Sequence, residues 1–243
     1  MSRRPTHLAL SAAGWLGFGA VTLWAAAFLA GVLVPRTADA PVRSTTGRAV
    51  AVDAALLLLF AAQHSLMARR TVKARLARRV PRPLERTTYV LATDLCLAVL
   101  LVLWEPVGGQ VWHLDGPAAA ALWTLCAAGW ALAVASTFAV DHLELTGLRQ
   151  AGWATRARRP REGLHEDGLY GLVRHPLMTG LLLAFWATPH MGAGHLLFAL
   201  GASCYVAVGI AFEERDLRES FGTAYDVYAA RVPALVPGLR RGR

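Results

Sequence analysis

Charged side chains are scarce in this sequence, and acidic ones scarcer still: 17% of its 243 residues are charged, and only 16 are Asp or Glu. An ordinary soluble domain carries about 25% charged residues, so the shortfall argues against one. Cysteine is nearly absent as well. Cys96, Cys126 and Cys204 all lie inside apolar stretches, with no CxxC and no Cys/His pairing. Buried free thiols explain them better than a disulfide framework or a zinc site. Also missing are a GxGxxG fingerprint, a Walker loop and an HExxH helix, which removes the common nucleotide-fold and zinc-hydrolase readings.

What fills the space is apolar sequence, 55% of the chain, gathered into long blocks separated by arginine-rich loops. That distribution predicts an all-α polytopic membrane helix bundle. The first block spans about Leu8 to Val34. Ser2-Arg3-Arg4 and Ala38-Asp39-Ala40 resemble the ends of a signal peptide. The block, however, is nearly twice the 7–15 residues of a signal's apolar region, and Pro41 follows directly. It reads as a spanning helix. Further segments cover about Ala49–Met67, Thr87–Trp104, Pro117–Val140, Leu177–His190 and Gly194–Phe212. The fifth of these six has only about 14 residues, short of the roughly 17–25 that span alone. It is tilted, partly re-entrant, or half of a helical hairpin turned by Pro189-His190-Met191-Gly192.

The formal charge of +9 invites a nucleic-acid reading, but the arginines decide otherwise. Eight Lys/Arg lie between Ala68 and Arg86, six between Asp141 and His175, two at the N-terminus and six after Phe212. Three fall between the first two segments, and none in the loops after the third and fifth. All the rich loops share one side only if six segments cross with both termini inside. The positive-inside rule then makes that side cytoplasmic, in a multi-pass protein of the cell's inner membrane. No aromatic-interleaved basic module remains for nucleic acid, and nothing implies an obligate protein partner. The tail reads as an amphipathic helix from about Glu213 to Arg231, with Leu217, Phe221, Tyr225, Tyr228 and Val232 on one stripe and Pro233 ending it. Arg156 to His165 reads as the most mobile loop. No repeat divides the chain, so residues 1–243 read as one domain.

Four polar clusters stand at the ends of apolar segments. Gln63-His64-Ser65 closes the second; a histidine there is either a hydrogen-bonded interfacial residue or a functional one. Asp141-His142-Leu143-Glu144 closes the fourth, where His142 with Asp141 or Glu144 makes an oriented acid–base pair or a solvated helix end. Arg174-His175-Pro176 opens the fifth, with Pro176 suited to the first helical position. Glu213-Glu214 closes the sixth; adjacent carboxylates point apart on a helix, so at most one should face a shared site, leaving the other for Arg215 or Arg218. All four should lie at one depth, on the cytoplasmic side, as a pocket at a bundle mouth requires. Their histidines and glutamates come from four segments with no short-spaced ligand pair, so no metal site is expected.

Arg174-His175-Pro176 with Gly180, then Glu213-Glu214, Leu217, Phe221-Gly222, Tyr225, Tyr228 and Val232-Pro233, resembles the C-terminal pattern of the isoprenylcysteine carboxyl methyltransferase and phospholipid methyltransferase superfamily. The stretches Phe60–Arg69, Glu85–Leu91 and Ser136–Gln150 bring the likeness closer to its bacterial methanethiol S-methyltransferases. The resemblance implies an integral-membrane enzyme that uses S-adenosylmethionine, with the cofactor-binding pattern over about 168–237. It implies cofactor contacts at Tyr170, Arg174, His175, Pro176, Glu213, Glu214, Tyr225 and Tyr228. His175 and the helix N-terminus behind it suit the cofactor's carboxylate, Glu213 or Glu214 its ammonium or ribose, and Tyr225 and Tyr228 would flank its adenine or close the pocket. The acceptor would be a small thiol that partitions into the bilayer, with His64 or His142 as base and Asp141 or Glu144 orienting the latter. Met178 stands where the superfamily usually has tyrosine, so no contact is carried over there. A prenylcysteine or lipid acceptor and a non-catalytic bundle are the alternatives.

Overall fold

A computed structural model describes residues 4–153 and 163–238. Most of the loop read as mobile, Arg156 to His165, lies outside the described residues. The ten described helices, in chain order, are α1 (Arg4–Ala30), α2 (Thr46–Ala68), α3 (Arg70–Leu76), α4 (Glu85–Leu103), α5 (Gly116–Val140), α6 (His142–Thr146), α7 (Leu169–Leu172), α8 (Pro176–Trp186), α9 (Ala193–Phe221) and α10 (Thr223–Arg231). A short 3-10 turn, Arg82–Leu84, leads into α4. Two short strands, β1 (Gln110–His113) and β2 (His190–Gly192), pair antiparallel. Five of the helices are long and apolar enough to cross a bilayer; α8 is a shorter apolar helix. Leu23, Leu58 and Leu95 are each about two-thirds exposed or more, which a lipid-facing surface accounts for. The chain is a polytopic membrane helix bundle.

It divides into two compact units. The first comprises Met1–His113, Val140–Arg156 and His190–Gly201. Its helices α1 and α4 pack through small and polar residues: Ser11 and Thr87 hydroxyls meet at 2.6 Å, and a Cβ on Gly17 would lie 2.9 Å from an Asp94 carboxylate oxygen. Near β1 and β2, Phe28, Trp104 and Phe198 form an aromatic cluster with ring centroids 5.9–6.4 Å apart. Asp39 accepts from the backbone N–H groups of Gly192 and His195, which caps the start of α9. Ala38 and Asp39, considered above as a cleavage site, are therefore working parts of this unit.

The second unit comprises Leu114–Ala139, Ala157–Pro189 and Ala202–Arg243. Here α5 and α8 touch backbone to backbone. A Cβ on Gly129 would meet Gly180 O at 2.8 Å, and one on Gly180 would meet Gly129 O at 2.7 Å. Gly129/Ala133 and Gly180/Ala184 are small residues at four-residue spacing, the pattern that lets membrane helices approach this closely.

Two expectations change. Pro189–Gly192 is more than a turn: His190–Gly192 is the strand that pairs with β1, and it stands between α8 and α9. The amphipathic tail does not begin at Glu213 either; α9 runs unbroken through both glutamates to Phe221. The break falls at Gly222, whose φ of 54° lies in the left-handed region that glycine tolerates. Within the second unit α8 runs beside α9: His175 meets Glu213 and Glu214 at one end, and Trp186 Nε1 donates to Ser203 Oγ at 2.9 Å at the other.

Candidate active site

The second unit gathers the Arg174, His175, Glu213 and Glu214 cluster. His175 caps α8, with Pro176 at the first helical position, and its ring is buried. Nδ1 lies 3.2 Å from Glu213 Oε2 and Nε2 lies 3.2 Å from Glu214 Oε1. Both carboxylates thus reach the same imidazole, against the expectation that only one could. The side chains of neighbouring residues diverge by about a third of a turn, but two glutamate arms can close on opposite edges of one ring. Glu214 also pairs with Arg218, a role expected for whichever glutamate pointed away from the site.

Arg174 is the organiser. Its guanidinium pairs with Glu214 Oε1 and donates to the carbonyls of Ala229 at 3.1 Å and Val232 at 2.6 Å, the otherwise open end of α10. Its backbone N–H donates to Pro233 O and that of His175 to Ala234 O, while Thr179 Oγ1 donates to Leu235 O at 2.8 Å. The tail is thereby strapped along the approach to α8.

The tyrosines divide. Tyr228 is core: it packs with Val232, Leu217 and Ala229, and its hydroxyl donates to Tyr170 O at 2.7 Å. Burial, only partly offset by the Arg174 charge, pushes its phenol up to about 12, so it remains a neutral donor. Tyr225 is fully buried, with Arg218 over its ring at 5.3 Å. Among the described residues its hydroxyl has no hydrogen-bond partner of normal geometry. An orphaned buried hydroxyl is costly, and one beside Arg174 and Glu214 fits a polar ligand that completes the site. Tyr170 is half-buried, edge-on to His165. Burial and the Glu213 charge raise its phenol above the ordinary range, keeping a donor next to a carboxylate. Glu213 is half exposed, which leaves capacity for a cation or a hydroxyl.

The first unit holds the other candidates. His64 Nε2 meets the Tyr89 hydroxyl at 2.9 Å, Nδ1 lies 3.4 Å from Thr93 Oγ1, and the ring stacks on Phe60. Tyr89 was not singled out from the sequence, although Glu85, Tyr89 and Thr93 repeat every four residues as a polar stripe on an apolar helix. The corner after α5 is tightly built. Asp141 takes φ 85°, unusual for a residue with a side chain, and its carboxylate caps Leu143 and Glu144 N–H and pairs with Arg149. Burial alone would raise this carboxyl; the bonds from Arg149 and the two amides, with the arginine's charge, bring it below the usual range. His142 lies 6.4 Å from the Trp15 ring. Glu144 is exposed, and its carbonyl takes a bond from Gln150. So the committed contacts of Asp141 serve the corner and Arg149. Asp53 and Asp94, buried on α2 and α4, were missed by the sequence reading. Single carboxylates inside apolar runs are the signal that marks them.

Comparison with known proteins meets this geometry. The chain is 43% identical over 237 residues to a methanethiol S-methyltransferase of Mycobacterium tuberculosis, covering 97% of each protein. It belongs to that family. A Pseudomonas methanethiol S-methyltransferase is 44% identical over 92% of this chain and 86% of its own length. The chain also matches the family described as NnrU protein over residues 54–232, and it is 35% identical to Nurim of Sus scrofa over 70% of this chain and 68% of that protein. No solved structure matches it. Membership in a methyltransferase family makes the chain an enzyme and implies a methyl donor. Among the described residues no group of three or more His, Cys, Asp or Glu side chains could hold a metal ion.

Proposed function

We propose that this chain transfers the methyl group of S-adenosylmethionine to methanethiol, forming dimethyl sulfide and S-adenosylhomocysteine and releasing one proton. Near full-length identity to enzymes named for that substrate carries the reading. The second unit supports the donor: an orphaned Tyr225 hydroxyl, a half-exposed Glu213 and a neutral Tyr170 phenol suit a ligand with cationic, hydroxyl and aromatic parts. S-adenosylmethionine supplies an electrophilic methyl group on a sulfonium centre. Glu213 takes the ammonium or ribose hydroxyls, Tyr225 and Tyr170 take polar edges, and the first turn of α8 behind His175 and Pro176 favours the carboxylate. Arg174 and Glu214 hold these groups in register, and Tyr228 fixes α10.

His64 accepts the thiol proton, because the thiolate is the better nucleophile. Tyr89, able to donate or accept, orients that ring and passes the proton on. His142, on the corner that Asp141 and Glu144 build, is the alternative base. An apolar thiol concentrates in the bilayer, which brings the acceptor to the protein. The arginine-rich loops face the cytoplasm of a cell's inner membrane, with both termini on that side, and the chain acts without an obligate protein partner.

The purified chain alone, given S-adenosylmethionine and methanethiol, should release dimethyl sulfide into the headspace. No product at saturating substrate overturns the reading. Methylation of a prenylcysteine or a lipid amine in preference to the thiol assigns a sibling activity instead.

A further inference from the structure

A cavity of about 200 Å³ opens in the first unit, unused by the proposed chemistry except at one wall. Its lining includes Lys73 of α3, Arg82 of the 3-10 turn, Arg86 and Glu85 of α4, Met67 of α2, and Tyr89. Three cations from three elements thus face one carboxylate. Among the described residues Lys73, Arg82 and Glu85 make no ion pair, so the positive charge is not neutralised in place. Arg86 is fixed, its Nε donating to Leu145 O at 2.6 Å and its guanidinium lying 5.3 Å from the Tyr89 ring centre. One anchored cation and two uncommitted ones around a concave space fit an anion with several acceptor oxygens, such as a phosphate.

The neighbouring surface selects among phosphates. On α2, Leu59, Leu66 and Met67 recur at seven- and eight-residue spacing, one face of a helix. Leu59 and Leu66 are about half exposed. The cavity therefore sits at the foot of an apolar stripe on a helix long enough to cross a bilayer. A free phosphate would leave the stripe unused; an anionic phospholipid would lay its acyl chains on it.

We infer that Lys73, Arg82 and Arg86 form a binding site for the phosphate headgroup of an anionic phospholipid, at the edge of the face that carries the basic loops. Because Tyr89 forms one wall and bonds to His64, headgroup occupancy steadies the proposed base.

The test needs no methyl transfer. The full chain is purified from mixed micelles of phosphatidylglycerol and phosphatidylcholine, and retained lipid is counted by native mass spectrometry. Phosphatidylglycerol should be enriched over phosphatidylcholine by about tenfold. The Lys73→Gln/Arg82→Gln double variant changes only exposed side chains and should melt at the wild-type temperature while losing most of that enrichment. Arg43→Gln, in the loop between α1 and α2, should keep it. Equal retention of the two lipids by the wild type, or unchanged enrichment in the double variant, overturns the site. Displacement of the lipid by millimolar glycerol 3-phosphate as readily as by phosphatidylglycerol overturns the lipid assignment in favour of a soluble phosphate ligand.

Discussion

At the scale of single residues, the side chains that sequence spacing picked out do more than one thing each. Arg174 pairs with Glu214 and also closes α10; Arg174→Lys keeps the charge but not the fork. We expect it to weaken S-adenosylmethionine binding at least tenfold by calorimetry and to expose the tail to protease. Tyr89→Phe removes the hydroxyl that meets His64. Turnover should fall about tenfold, and His64→Ala should cost about a hundredfold or more, the range of general base catalysis, with donor affinity unchanged in both. Loss of donor binding in His64→Ala would show that this division of roles is wrong. Asp141 gives a pH dependence. Its folded carboxyl lies below its unfolded value, so its stabilisation is present above about pH 4 and is lost as pH falls through the folded value. Asp141→Asn should flatten the acid limb of a melting-temperature profile. Residue identity was legible in the sequence because polar groups stand out in apolar runs. The closure of two adjacent glutamates on one ring was not, because helix spacing gives directions but not the reach of flexible arms.

At the scale of elements, hydropathy located every crossing helix, since lipid imposes length and composition together. It misjudged the ends, where the bilayer no longer dictates the outcome. The strand at His190–Gly192 depends on a partner some eighty residues earlier, and α9 outruns its apolar stretch because its last turns are held by ion pairs rather than by lipid. The α5–α8 contact makes the next prediction. Gly180→Ala places a methyl against the Gly129 carbonyl and the Ala133 amide at under 3 Å, and overpacking of this kind costs about 1–3 kcal/mol. The variant should melt lower in detergent. Donor affinity should fall with it, because His175 sits at the end of the displaced helix. Gly209→Ala has open space around its Cβ position and should change neither.

At the scale of the whole molecule, topology follows from counting crossings. Five long helices alone would leave the two termini on opposite faces; in the proposed topology a crossing by the segment that holds α8 returns them to one. Reporter fusions at the N- and C-termini should therefore both read cytoplasmic, and an external signal from the C-terminal fusion would mean that α8 does not cross. The tail strap leaves the donor site open to damage by a single cut. Pro233, Ala234 and Leu235 hold Arg174, His175 and Thr179 in place, and α10 brings them there through the glycine joint at Gly222. A protease that nicks the chain at that joint would leave the long apolar helices where they are and still free the strap, so activity would be lost before the fold.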